Sequence, residues 1–341
     1  MSDVTRQGTR GQRPGREAVP GARGGLERPH RRRRGGEPTV TPKAEFGSYY
    51  GRPIIKAPTW TARDIAGYLF LGGLAGGSSL LAAGAEWTGR PVLARSAKLG
   101  ALGAISLATV ALINDLGRPE RFANMLRVFK PSSPMSMGSW ILAAYGPAAG
   151  VAAIADASGL AGRFTPIRLL GRAATGWAAL TGPGVACYTA VLIADTAVPA
   201  WHEAHRELPF VFCGSAAAAA AGLGLIAAPT GENAPARASA LFGAALELAA
   251  ELWMERRLGE QARPYRTGRA GTLLRAARIL TAAGIAGTSL AAGRRRAVAA
   301  VAGGALVAGS ACLRFGVFEA GRASALDPHY TVASQRPKIT A

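Results

Sequence analysis

The sequence predicts an all-α, polytopic membrane protein of about eight transmembrane helices, arranged as two four-helix bundles. Its 341 residues include repeated Ala- and Gly-rich apolar runs close to 20 residues long, the length that crosses the hydrocarbon core of a bilayer. The mean hydropathy is positive. The basic residues behind the net charge of +20 lie mostly before and between these runs, which is typical of membrane proteins.

Eight helices follow from the apolar runs. The predicted ranges are 63–85, 97–115, 138–157, 174–199, 208–228, 237–254, 272–292 and 297–316. The sixth is the weakest prediction because it carries Glu247 and Glu251. The first four helices form a bundle over residues 59–200, the last four form a second bundle over 201–320, and 321–341 is a C-terminal tail.

The first 58 residues are rich in Arg, Gly and Pro, with four consecutive arginines at 31–34. Such a segment cannot bury enough apolar surface to fold, so a disordered basic tail is predicted. No apolar stretch follows early enough for a signal peptide. The bias of basic residues favours cytoplasmic N- and C-termini in the cell (plasma or inner) membrane, where the tail is also attracted to anionic lipid.

Several chemistries are excluded by residue types and positions. Cys187, Cys213 and Cys312 form no CxxC pair, which argues against a disulfide framework, a metal site or an iron–sulfur cluster in this chain. None of the four histidines lies inside an apolar run, so no membrane haem is expected. No basic stripe on a soluble fold points to nucleic acid. The chain alone has no predicted catalytic residue, because it carries no electron carrier.

The most informative segment closes the second helix. Asp115 lies at the membrane boundary, and Arg118 and Arg121 follow within six residues. Ionisable groups at this depth are costly and are usually paired or functional. A salt bridge that fixes the loop and a functional carboxylate are equally good interpretations of Asp115.

Residues 114–142, NDLGRPERFANMLRVFKPSSPMSMGSWIL, resemble the NrfD/polysulfide reductase family of membrane subunits. Supporting matches are GGLAGG at 72–77, YTAVLIADTAVPAW at 188–201 and the Leu-Pro pair at 208–209. The likeness covers helices 1–5 well and helices 6–8 only by hydropathy. The glycine run by itself indicates either tight helix packing, which is favoured, or room for a flat ligand.

The resemblance implies a role in a redox complex. Members of this family anchor a molybdopterin catalytic subunit and a ferredoxin-like, four-cluster iron–sulfur subunit to the membrane. They bind quinone or quinol, either menaquinone or ubiquinone, without haem. Electrons then pass directly between the quinone and the nearest cluster of the iron–sulfur partner. That partner is expected to dock on the face that carries the 115–137 loop.

The resemblance also implies which residues form the quinone site. Asp115 and Arg121, with Arg118 beside them, match the family's pair. A carboxylate there can accept a proton from quinol, and a guanidinium keeps it ionised. Tyr68 and Tyr188 can bind a quinone oxygen.

Two further expectations concern helices 1 and 4. The His or Asn that helix 1 supplies in some relatives is missing here, where residues 76–78 read Gly-Gly-Ser. Asp195, expected inside helix 4, is either a second relay or a polar contact.

Helix 6 carries two further candidates. Glu247 and Glu251 are four residues apart and share a helix face. They are either a second proton relay or partners of Arg275 or Arg278 in helix 7, which is the favoured interpretation. Trp60 and Trp201 are expected in the aromatic belt at the membrane surface.

Two other functions remain open. A proton- or ion-coupled transporter could use Asp115, Asp195, Glu247 and Glu251 as its relay. A purely structural anchor that has lost its quinone site would explain the missing ligand in helix 1.

Overall fold

The computed structural model describes residues 53–115, 119–290 and 292–335, and within these ranges the chain is helical, without strands. A π-helical turn, Ala62–Ala66, leads into the first of eight long helices. They are α1 (Gly67–Trp87), α2 (Pro91–Asp115), α3 (Pro134–Ala157), α4 (Thr165–Ala194), α5 (Leu208–Ala227), α6 (Ala234–Leu258), α7 (Gly268–Leu290) and α8 (Arg296–Leu326). Each long helix overlaps one of the predicted ranges.

Six of the eight helices, α1–α5 and α8, are long and apolar enough to cross a membrane. Helices α6 and α7 have 25 and 23 residues, but each carries several charged residues. The all-helical, multi-pass fold is therefore confirmed. The count of eight spans and the division into two bundles remain predictions.

Helices α1 and α5 form the centre of the fold. In their apolar stretches 72% and 67% of the residues are buried, against 33% in α2 and 28% in α3. Helix α1 packs on α2, α4 and α5, and α5 packs on α1, α6 and α8. The outward faces of α2 and α3 are consequently left for lipid.

Glycines bring the central helices into backbone contact. A Cβ atom on Gly76 would collide with the Gly182 carbonyl of α4, and one on Gly77 would lie 2.5 Å from the Ala216 carbonyl of α5. Helices α4 and α5 thus pack directly against the two sides of the GGLAGG run. This confirms tight packing and leaves no room for a flat ligand against that backbone.

Helix α2 begins six residues earlier than predicted. Glu232 Oε2 accepts hydrogen bonds from the backbone N–H groups of Val92 and Leu93 at 2.8 and 3.1 Å, which satisfies the start of the helix. Arg95 lies within the residues that were assigned to the loop, and Lys98, inside the predicted range, is paired with Glu86 at 2.7 Å.

Two helix ends also differ from the prediction. Helix α4 stops at Ala194, and Pro199 opens the short helix Pro199–Glu203 that follows. Helix α8 continues ten residues past its predicted end, and Pro328–Gln335 forms one more short helix. The basic tail predicted for 1–58 lies almost wholly outside the described residues.

Candidate functional site

Successive long helices alternate in direction, so the start of α1, the end of α2, the start of α3 and the end of α4 lie together. We call this side of the fold the Asp115 end, and the opposite side the far end. The ends of α6 and α8 share the Asp115 end. Contacts across it, such as Trp60 stacked on Trp201 with ring centroids 6.1 Å apart, join its segments.

Asp115 is the last residue of α2 and is partly exposed. Its Oδ1 accepts a hydrogen bond of 3.4 Å from the backbone N–H of Thr61, at the start of the π-helical turn. The Thr61 hydroxyl donates to Asp64 Oδ2 at 2.6 Å, which places a second carboxylate in the same corner. Asp115 thus lies at the end of a candidate span and is held there by the start of α1. Its position at the membrane boundary stays a prediction.

The arginines predicted to pair with Asp115 are not seen. Arg118 lies outside the described residues. The backbone of Arg121 lies in the 3-10 helix Pro119–Leu126, but the position of its side chain is not described. The salt bridge therefore stays a prediction.

Tyr68 and Tyr188 lie deeper in the bundle and touch each other. Their rings meet edge to face with centroids 6.5 Å apart, and both side chains are buried. The Tyr188 ring covers Gly138 of α3, where any side chain would collide with it. Tyr68 lies seven residues beyond Thr61, so the tyrosines are about 10 Å below the rim on which Asp115 sits.

Asp195 lies at the rim and not inside helix 4. It follows the last residue of α4, its side chain is exposed, and its N–H still donates to the Val191 carbonyl at 2.9 Å. The buried position predicted for Asp195 is wrong. The helix ends here because Thr196 turns back to bind the Ile193 carbonyl and Pro199 begins the next segment.

Trp201 is fully buried, so its predicted place in the aromatic belt is wrong. Its Nε1 donates to the Val317 carbonyl of α8 at 2.8 Å, and its ring fills the space left by Gly321. Trp60, which stacks on it, is half-buried. The Trp201 side chain therefore ties the segment between α4 and α5 to the end of α8.

The same segment is held by two further contacts. The Tyr265 hydroxyl donates to the Ala200 carbonyl at 2.8 Å. Burial raises the pKa of Tyr265 above its ordinary value, and the charge of Glu207 adds to the shift, so this hydroxyl stays protonated. Arg257 donates to Glu207 Oε2 at 2.7 Å. These contacts join α6 and the segment before α7 to the Asp115 end.

Aromatic and apolar side chains are exposed on the loop that leaves Asp115. Phe129 packs edge to face on Trp140 of α3 at 5.9 Å, and both are exposed, as is Val128. The Trp140 indole donates to the Val128 carbonyl at 3.3 Å, which fixes the pair. This exposed aromatic pair and Asp115 lie at the two ends of the segment between α2 and α3.

Glu247 and Glu251 are buried on the inner face of α6. Arg278 of α7 donates to Glu251 Oε2 at 2.9 Å and also binds Glu255, so the favoured pairing is confirmed for Glu251. Arg275 instead donates to the Gly271 carbonyl of its own helix. Glu247 accepts a hydrogen bond of 3.3 Å from Thr281, and its Oε2 has no partner among the described residues.

Sequence reasoning missed Arg314 of α8, which is fully buried. Its guanidinium carbon lies 3.6 Å from the centroid of the Phe212 ring, and its Nη2 donates to the Phe212 carbonyl at 2.6 Å. Its Nε and Nη1 have no partner within the described ranges, although Glu247 attracts it electrostatically. The sequence could have pointed to Arg314, because it lies inside the predicted span 297–316 and arginines within membrane spans are rare and usually functional.

The comparisons with known proteins agree with this architecture. The family described as "Polysulphide reductase, NrfD" matches residues 59–255, from the start of α1 almost to the end of α6. No curated protein matches the chain significantly. The match covers more than half of the chain and includes Asp115, Tyr68, Tyr188 and the loop between α2 and α3. The chain is therefore a multi-pass membrane protein that belongs to the polysulphide reductase NrfD family.

Proposed function

We propose that this chain is the membrane anchor and quinone-interacting subunit of a molybdopterin iron–sulfur oxidoreductase complex. Asp115 carries the proposal, because it is a carboxylate at the end of an apolar helix, fixed by the Thr61 backbone, and the loop that follows it exposes an aromatic pair. The substrate in the membrane is menaquinone or ubiquinone. The chain has no turnover alone and depends on a ferredoxin-like, four-cluster iron–sulfur subunit and a molybdopterin catalytic subunit.

The proposed chemistry is proton transfer at the rim. When quinol is oxidised, its two electrons go to the iron–sulfur partner and its two protons leave the ring oxygens. Asp115 accepts one of these protons and releases it to water at the rim, and the positive charges of Arg118 and Arg121 favour the ionised carboxylate. Tyr68 and Tyr188 lie below the rim and Asp195 lies beside it as a second acceptor.

The proposed arrangement in the membrane uses all eight long helices as two bundles. Helices α6 and α7 would rise about 37 and 35 Å, enough to cross the core. Their opposite charges meet in the pairs of Arg278 with Glu251 and Glu255, which lowers the cost of burying them. The iron–sulfur partner docks on the Asp115 end, and both termini lie in the cytoplasm.

Purification of the complex through a tag on this chain tests the assignment. Recovery of a molybdopterin subunit and an iron–sulfur subunit is expected, together with quinol-dependent electron transfer to an artificial acceptor. Asp115→Asn should lower that rate at least tenfold, since general acid–base groups typically contribute about 10²–10⁴-fold. Glu260→Gln, an exposed carboxylate at the same end, is the control. A fully active Asp115→Asn complex would show that Asp115 is not the proton acceptor. An assembled complex without quinol-dependent activity would instead favour an anchor without a quinone site.

The second candidate function is a proton- or ion-coupled transporter. The observation in its favour is the set of unpaired atoms on Glu247 and Arg314, buried deep in the helices of the second half. With Glu251, these groups would form the second relay. Liposomes that contain this chain alone separate the two candidates, because only a transporter would carry a solute or ion across them without partner subunits.

A further inference from the structure

Each of the first four helices contributes one charged side chain to a cluster at the far end. Lys98 of α2 lies at the centre, with its Nζ 2.7 Å from Glu86 Oε2 of α1 and 3.6 Å from Asp156 Oδ1 of α3. Arg172 of α4 lies 3.4 Å from the other oxygen of Glu86. Exposure rises from 7% at Lys98 through 18% and 32% at the carboxylates to 60% at Arg172, so the cluster opens outwards.

A small cavity lies directly inside this cluster. Lys98, Ser79, Thr175 and five alanines line it, and about 10 Å³ is open to the centre of a water molecule. This is about the space that one buried water requires, together with two to four polar partners. The Thr175 hydroxyl donates to the Gly171 carbonyl at 2.8 Å, so its lone pairs remain for a further bond. Lys98, Ser79 and Thr175 supply three partners.

Hydrogen bonds continue from the cavity into the middle of the bundle. The Tyr145 hydroxyl donates to the Ala75 carbonyl at 2.7 Å and lies 2.7 Å from Ser79 Oγ. Because the Tyr145 hydroxyl donates its proton to the Ala75 carbonyl, the Ser79 hydroxyl must be the donor in the bond with Tyr145. The lone pairs of Ser79 Oγ can then accept a hydrogen bond from a water in the cavity. From Ala75 to Glu86 the helix rises about 16 Å, roughly half of the hydrocarbon core.

We propose that Tyr145, Ser79, a bound water and the Lys98–Glu86–Asp156 cluster form a proton path from the centre of the first bundle to the far end. As a proton forms an O–H bond at one end, each oxygen passes its own proton to the next group, and one proton is released at the other end. The Ser79 and Tyr145 hydroxyls then rotate to restore the starting hydrogen bonds. The inner end at Tyr145 lies about two helical turns from the Tyr68–Tyr188 pair. The use of the path rests on the proposed function: it would exchange protons between quinone chemistry and the far side.

Hydroxyl-radical labelling by radiolysis of water, followed by mass spectrometry of the full chain, tests the path without quinone. Bound water should label Lys98 and Tyr145, although both are buried. Tyr265 is an internal control, because it is as buried as Tyr145 but lies at the Asp115 end, where its hydroxyl binds the Ala200 carbonyl. Ala101→Leu, which fills the cavity, and Thr175→Val, which removes a polar partner, should each reduce labelling of Tyr145 several-fold. Equal labelling of Tyr145 and Tyr265 in the wild type would overturn the path.

The functional arm uses the tagged complex in liposomes with a pH indicator trapped inside. Lys98→Met should slow quinol turnover and proton movement at the far side several-fold while quinone binding stays unchanged. The Lys98→Met variant leaves the carboxylates of Glu86 and Asp156 without their lysine. If it misfolds for that reason, the double variant Lys98→Met with Glu86→Gln replaces it. Arg168→Gln, an exposed arginine of the same end, is the control. Wild-type rates in the folded Lys98 variants would overturn the path. If the wild-type complex shows no quinol turnover, only the proposed function is contradicted. The labelling experiment does not depend on quinone and still tests the path.

Discussion

The Arg314 guanidinium covers the Phe212 ring and also binds the backbone carbonyl of the same phenylalanine. This arrangement buries a charge between α8 and α5, with Glu247 of α6 as the opposite charge. The Ser215 hydroxyl donates to Ser310 Oγ at 2.8 Å between the same two helices, α5 and α8. A polar centre of this kind inside apolar helices makes its members depend strongly on one another.

Arg314→Met should destabilise the chain by about 3 kcal/mol, because it leaves Glu247 buried without an opposite charge. Adding Glu247→Gln should recover most of that loss, since the remaining centre is neutral. The measurement is thermal unfolding in detergent for the two single variants and the double variant. Additive losses in the double variant would show that the two groups do not interact.

Gly76→Ala should lower the thermal midpoint, because the new methyl group meets the Gly182 backbone of α4. Overpacking of this kind typically costs about 1–3 kcal/mol. Gly84→Ala in the same helix is the matched control, since nothing lies within 4 Å of its Cβ position. The control should be neutral or slightly stabilising. Equal losses at both positions would mean that helix propensity, and not packing, sets the effect.

Arg278→Gln should destabilise the contact between α6 and α7 by at least about 1 kcal/mol, since it removes the partner of two carboxylates. Arg275→Gln, one turn earlier in α7, should have a smaller effect because Arg275 binds its own helix backbone. Limited proteolysis of the two variants in lipid nanodiscs compares the effects. Greater cleavage of the Arg275 variant would contradict the assigned pairing.

Trp201→Phe should cost about 1 kcal/mol by removing the hydrogen bond to the Val317 carbonyl. Trp201→Ala should cost about 3–5 kcal/mol, because it also empties a buried site. Trp87→Phe is the control, since Trp87 is 74% exposed. Loss of the blue-shifted part of the tryptophan fluorescence in the Trp201 variants, but not in the control, would report the buried position directly.

The sequence located the helices better than the side chains at their ends. Runs of Ala, Gly and Leu predict where a helix crosses lipid, and each of the eight predicted ranges overlaps a long helix. Arg90 and Arg95 delayed the predicted start of α2, because basic residues were assigned to the loop, whereas the helix begins at Pro91. Trp201 was assigned to the membrane surface for a similar reason: a tryptophan beside polar residues suits a belt unless another helix covers it.

The candidate site was predictable in part. The resemblance supplied Asp115, and the structure places it at the end of α2 with Thr61 as its partner. Hydropathy gave Asp195 a buried position because the apolar run continues to Val198, whereas the backbone leaves the helix at Asp195 itself. Arg314 was hidden in an apolar run, and its importance depends on neighbours from other helices that no local pattern reveals.

The backbone contacts of α1 have a mechanical consequence. Gly76 joins α1 to α4 of the first half, and Gly77, on the next position, joins it to Ala216 of the second half. Rotation of one half against the other would have to separate interlocked backbones with no flexible side chains between them to absorb the displacement. The chain is therefore built as a stiff platform, and such a platform would hold the redox partner that we propose at a constant distance from the membrane.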